Sequence, residues 1–158
     1  MIVTAWRIVK GKNAASAFTG QGARLAGGRW NSPGVAVIYV AGSASLAMLE
    51  MLVHLQGQEL LSRYVLFEVT FDRKLVADVK VKDLPRSWRK SPPPGAAQHI
   101  GDAWVAGGRS AVLRVPSVIV PTEANYLLNP SHPDFARIAI GLQQAMKFDR
   151  RLGGGGGQ

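Results

Sequence analysis

The sequence predicts a single α+β domain, and three observations carry that prediction. Residues 2–9 (Ile-Val-Thr-Ala-Trp-Arg-Ile-Val) and 64–71 (Tyr-Val-Leu-Phe-Glu-Val-Thr-Phe) are rich in β-branched and aromatic side chains and read as strands. Residues 43–56 and 96–105 hold helix formers framed by helix signals, Ser43 as an N-cap and Gly107-Gly108 as a stop. The chain has 158 residues, 47% hydrophobic and 18% charged, which suits one globular domain that buries a core without staples.

Taken in order, the strand at 2–9 places Trp6 and Arg7 on opposite faces. Residues 13–19 fit a short helical turn, and 20–28 a glycine-rich loop of the kind that approaches a ligand. Neither a dinucleotide fingerprint nor a P-loop is present: position 25 is Leu, and Gly11-Lys12-Asn13 lacks the spacing. Asn31-Ser32-Pro33-Gly34 is a turn on composition, followed by a strand at 35–41. Residues 74–81 continue or pair with the strand at 64–71, and the proline-rich stretch 83–94 reads as a flexible surface crossing. Two strand-like runs in 110–120 are divided by Pro116-Ser117, which puts Ser117 at a bend. A short strand into a turn at 125–130, a helical turn at 131–137 and a strand or strand pair in 138–152 complete the domain, 1–152. Residues 153–158 form a flexible glycine tail.

Composition excludes several classes. With no cysteine there are no disulfides, thiolate zinc sites or cysteine nucleophiles. His54, His99 and His132 lack local ligand spacing, so no metal is expected. No signal peptide pattern opens the chain and no apolar run reaches membrane-spanning length, which fits a cytoplasmic protein. The net charge of +9 suggests acidic partners. The basic residues are scattered, however, and no helix-turn-helix or aromatic stacking sheet is visible, so a non-catalytic basic module binding nucleic acid or protein is the weaker reading.

The chemistry concentrates between Gly27 and Leu55. A glycine pair presents Arg29, a β-branched run contains Tyr39, and the helix that follows has Glu50 as its only charged residue before His54. Arginine, tyrosine and a lone carboxylate suit an anionic ligand carrying a sugar. Ser43, Ala47, Glu50 and His54 share one helix face, which is either the solvent side of an amphipathic helix or a strip looking into a cleft. Glu50 has no obvious carboxylate partner, which argues against a glycosidase pair, and no Gly-x-Ser-x-Gly elbow occurs. Trp30, Trp88 and Trp104 are read as core or rim.

Gly27-Gly28-Arg29-Trp30-Asn31, Val37-Ile38-Tyr39-Val40, Leu46-Ala47-Met48-Leu49-Glu50, Ile100-Gly101-Asp102-Ala103-Trp104, Leu113-Arg114-Val115-Pro116-Ser117 and Asn125-Tyr126-Leu127-Leu128-Asn129-Pro130 together resemble the RES domain. The resemblance runs from the first strand to about Leu152. It implies an ADP-ribosyltransferase-like fold, a split and mostly antiparallel sheet with flanking helices and a cleft across it. It also implies the toxin of a RES–Xre toxin–antitoxin pair that consumes NAD as substrate, by hydrolysis or phosphorolysis of the nicotinamide–ribose bond, or by ADP-ribosyl transfer to a cellular protein. The implied partner is an Xre-type helix-turn-helix antitoxin, with DNA reached only through it. The implied catalytic residues are Glu50, Arg29, Tyr39 and Ser117. Arg29 would hold the diphosphate, Tyr39 the nicotinamide or ribose, and Ser117 a phosphate or ribose oxygen unless it orients Glu50. Asn125 and Arg7 are candidates for the rim of the same NAD site.

Overall fold

Strand β1 (Ile2–Lys10) pairs antiparallel with strand β3 (Tyr64–Asp72) along its whole length, from Ile2 opposite Asp72 to Lys10 opposite Tyr64. These are the two stretches whose composition marks them most clearly as strands. The computed structural model describes residues 1–153. Around this pair lie β2 (Ile38–Ala41), β4 (Val76–Asp78), β5 (Val112–Pro116), β6 (Ala124–Leu128), β7 (Ala139–Ile140) and β8 (Gln144–Met146). The sheet order is β4-β5-β6-β2-β1-β3-β7, with β8 also on β3, and every pairing is antiparallel except β4 with β5. β2 joins β6 through four residue pairs but meets β1 only at Trp6 opposite Ala41. The sheet is therefore split along the β1–β2 seam, as the α+β expectation with a divided sheet requires.

Three helices flank it: α1 (Gln21–Ala26), α2 (Ala44–Leu52) and α3 (Gly95–Gly107). Ser43 caps α2, its Oγ accepting from the Leu46 N–H. α2 buries Leu46 and Ala47 against Ile8 of β1, Tyr64 and Phe148. α3 lays Ala97 against a group that includes Trp30, Trp88, Leu113 and Leu127. A third core group joins Ala5, Ile38, Val69, Phe71, Val112 and Leu128 on the sheet itself. Among the described residues no helix is long and apolar enough to cross a membrane.

Several expectations are corrected. The stretch 20–28 is not simply a loop, because Ala23, Arg24, Leu25 and Ala26 are good helix formers and make α1 between two glycines. The strand expected at 35–41 begins at Ile38, and α2 ends at Leu52 and trails off in turns to Leu55. β4 does not pair with β3. β3 already has β1 on one edge and β7 and β8 on the other, so β4 is left to join β5 in parallel. Only the first run in 110–120 is a strand. Beyond Pro116 the chain wraps around Ser117, whose hydroxyl accepts from the Ile119 and Val120 amides. The crossing at 83–94 is anchored, since Trp88 is buried and stacked on Trp30 with ring centroids 5.9 Å apart. Gly153 ends a short 3-10 turn, and the remainder of the expected glycine tail, 154–158, lies outside the described residues.

Candidate active site

A cleft of about 840 Å³ opens beside the β1–β2 seam, with Arg7, Arg29, Tyr39, Glu50, His54 and Asn125 among the residues that line it. That is within the range of roughly 300–1,000 Å³ usual for ligand pockets. α2 brings Ala47 and Glu50 to the cleft and the turns after it bring His54, while Ser43 is taken up by capping and by a bond from its hydroxyl to Glu123. The strip of small and polar residues on this helix thus faces a cavity.

Glu50 is half-buried, and both of its hydrogen bonds fall on one oxygen. Ser117 Oγ donates to Glu50 Oε1 at 3.0 Å, and Asn125 Nδ2 donates to the same atom at 2.6 Å. Among the described residues Oε2 has no hydrogen-bond partner. Ser117 itself is fully buried behind the carboxylate, so its hydroxyl is aimed at Glu50 and away from the open cleft. Asn125, expected at the rim, lines the cleft and reaches the carboxylate from β6.

The three remaining candidates sit on the other wall. Tyr39 Oη donates to Asn31 Oδ1 at 2.6 Å and accepts from the Trp30 N–H at 3.1 Å, so its hydroxyl is fully occupied. Burial pushes its pKa well above the usual phenol value. Its ring remains part of the cleft wall, and its hydroxyl fixes the loop that carries Arg29. Gly28 in that loop has no room for a side chain, because a Cβ there would lie 2.6 Å from Tyr39 Oη. Arg29 Nη1 donates to the carbonyls of Trp88 and Lys90 at 2.7 and 2.8 Å, which anchors the 83–94 crossing. Burial lowers the Arg29 pKa, and the nearby Glu50 carboxylate partly restores it.

Arg7, the other residue expected at the rim, also lines the cleft. From β1 its Nε donates to the Ala17 carbonyl at 2.7 Å and its Nη1 to the Tyr39 carbonyl at 2.8 Å, while Phe18 lies against its charge. Desolvation lowers its pKa to about 10. Among the described residues neither Arg7 nor Arg29 takes part in a carboxylate ion pair.

Sequence reasoning missed the clamp that α3 places on the Arg29 loop. Gln98 donates to the Gly28 carbonyl, and Asp102 accepts from both the amide and the hydroxyl of Ser32 at 2.9 and 2.6 Å. Asn31, read as a turn residue, is fully buried and donates to the Ala23, Ser32 and Val35 carbonyls. Asp102 carried a signal that was available: it is the one carboxylate on α3.

The RES domain family model matches residues 4–149. A Yersinia enterocolitica protein called Toxin Res is 43% identical over 148 residues, covering 93% of this chain and 97% of its own. A Sphingobium protein called Prs ADP-ribosylating toxin is 39% identical over 158 residues, covering 96% and 98%. The fold resembles a chain in the crystal structure of the M. tuberculosis MbcT-MbcA toxin-antitoxin complex, with a TM-score of 0.77, 20% identity and coverage of 93% of this chain and 85% of that one. With nearly its whole length matched by the family model and by relatives of its own size, this chain belongs to the RES domain family.

Proposed function

We propose that this chain is the toxin of a toxin–antitoxin pair and that it consumes NAD by breaking the bond between nicotinamide and ribose. The observation that carries the reading is the Glu50 carboxylate. Neutral donors tie one oxygen, and the other is free in a cleft that also presents two guanidinium groups without ion-pair partners. A cation-lined wall facing a fixed anion suits a ligand with a negative diphosphate at one end and a sugar that becomes positive at the other.

When the bond breaks, nicotinamide leaves with the bonding electrons as a neutral molecule, and positive charge develops on the ribose ring. Glu50 Oε2 is the group placed to stabilise that charge, and a carboxylate held in advance does so without reorganising. Arg29, through the N–H groups not bound to Trp88 and Lys90, and Arg7 supply donors for the diphosphate. Tyr39 offers a ring face, since its hydroxyl is already spent on Asn31 and Trp30. An acceptor oxygen then bonds to the ribose carbon and, if it is water, releases a proton, giving ADP-ribose.

A second acceptor is favoured by one finding: the Sphingobium relative is called an ADP-ribosylating toxin, which makes transfer to a cellular protein the rival reading. The solved structure with this fold is a toxin–antitoxin complex, and that supports an antitoxin partner here. An Xre-type partner, contact with DNA through it alone, and action in the cytoplasm complete the proposal.

Product analysis tests it. Purified chain is incubated with NAD in buffer, with added phosphate, and with cell lysate. Free nicotinamide should appear, together with ADP-ribose, a phosphorylated counterpart, or label on a protein band according to the acceptor. Glu50→Gln should lower the rate on the order of a hundredfold or more while the melting curve is unchanged. NAD left intact in all three incubations, or a fully active Glu50→Gln chain, overturns the reading.

A further inference from the structure

We infer that Asn125 is a positioning residue that acts through Glu50, locking Oε1 so that Oε2 alone faces the ligand. The inference rests on the role proposed above for Glu50 and concerns how that carboxylate is held.

Asn125 lies on β6 with Ala41 of β2 opposite it on one side and Val115 of β5 on the other, so its backbone is fixed from both edges. Its amide nitrogen is 2.6 Å from Glu50 Oε1, closer than the 3.0 Å of the Ser117 hydroxyl. Ser117 has a single proton to give, and its oxygen already accepts from the Ile119 and Val120 amides. One such bond leaves a carboxylate free to turn about its last carbon–carbon bond. Two donors on one oxygen, one from β6 and one from the bend that follows β5, fix its plane.

The amide has a second property that a filler residue would lack. Asn125 Oδ1 is buried and has no hydrogen-bond partner among the described residues. Unpartnered buried acceptors are uncommon, because each forfeits the bonds it made to water. Turning the amide over would not help, for it would set Oδ1 against a carboxylate oxygen, acceptor against acceptor. The orphaned carbonyl is the consequence of presenting the NH₂ group to Glu50, and an apolar residue at 125 would avoid it. A polar residue kept there at some loss of stability is explained by what its nitrogen does to the carboxylate.

Steady-state NAD consumption and melting curves of Asn125→Ala, Asn125→Asp, Glu50→Gln and the Asn125→Ala/Glu50→Gln double variant decide the matter. Asn125→Ala should lower kcat roughly tenfold or more with KM within about twofold of wild type, and should melt no lower than a few degrees below it. Asn125→Asp keeps the shape but removes the donor and adds a like charge, so it should be worse than Ala. Packing alone would predict the reverse order. In the Glu50→Gln background Asn125→Ala should cause no further loss, because its effect runs through the missing charge. If Asn125→Asp fails to fold, Asn125→Ala alone and in the double variant still gives the answer. Asp better tolerated than Ala, a rise in KM at constant kcat, or equal losses in both backgrounds overturns the assignment. A wild type that leaves NAD intact, or an active Glu50→Gln chain, brings down the NAD reading and this inference with it. With those two controls as expected, an Asn125→Ala chain as active as wild type removes Asn125 alone.

Discussion

At the scale of single residues, the site is a set of groups whose hydrogen-bonding capacity is largely spent inside the protein. Arg29 shows the effect. Its Nη1 is committed to the carbonyls of Trp88 and Lys90, so it both anchors the 83–94 crossing and offers its remaining N–H groups to an anion. A lysine ammonium could do one of these but not both, having no planar fork. Arg29→Lys should therefore lower NAD consumption roughly tenfold or more and loosen the crossing, read as kinetics together with faster proteolysis between Asp83 and Pro94. An Arg29→Lys chain with wild-type turnover removes the residue from the site. Arg29, Tyr39 and Glu50 were legible in the sequence because the motifs that carry them are local. What each atom bonds to was legible only in part. The aim of Ser117 at Glu50 was one of the two roles that the family resemblance implied for it. The engagement of the Tyr39 hydroxyl by Asn31 and the depth of Arg7 depend on how the chain folds back on itself, which the neighbouring residues do not encode.

At the scale of elements, the long ones were legible, and among the short ones β4 and α1 were not. β1, β3, α2 and α3 hold enough residues for periodicity, composition and caps to agree. β4 has three residues, so its partner is chosen by which sheet edge is free, and that is a property of the finished sheet. α1 was hidden by the glycines on either side of it. α3 has a role beyond covering the sheet, since it holds the Arg29 loop by the main chain as well as through Gln98 and Asp102. A Cβ added at Gly101 would lie 1.7 Å from the Trp30 carbonyl oxygen, an overlap no side-chain rotation relieves because the backbone fixes where a Cβ sits and the oxygen is itself backbone. Gly101→Ala should push α3 off the loop at a cost of about 3 kcal/mol or more, lowering Tm on the order of 10 °C. Thermal melts check the size. An unchanged Tm would show that the helix can shift outward freely, and the clamp would then be of little consequence.

At the scale of the whole molecule, the net charge of +9 and the two arginines lining the cleft bear on the proposed partner. A chain that drains NAD harms the cell that makes it, and a cover for the cleft with complementary acidic groups would bind fast and lose affinity as salt rises. Expression of the chain alone should give poor recovery, and co-expression with a neighbouring antitoxin good recovery. Harmless high-level expression of the unmodified chain by itself counts against the toxin reading. The overall fold class was legible in the sequence, while the single rung between β1 and β2 was not, because a missing pairing leaves no mark on composition. That seam has a further consequence. Where main-chain bonds between β1 and β2 give out, the guanidinium of Arg7 reaches from one strand to the Tyr39 carbonyl of the other. The aperture of the cleft is thus set by a keystone side chain, and related chains could widen or narrow it by changing position 7 without rebuilding either half of the sheet.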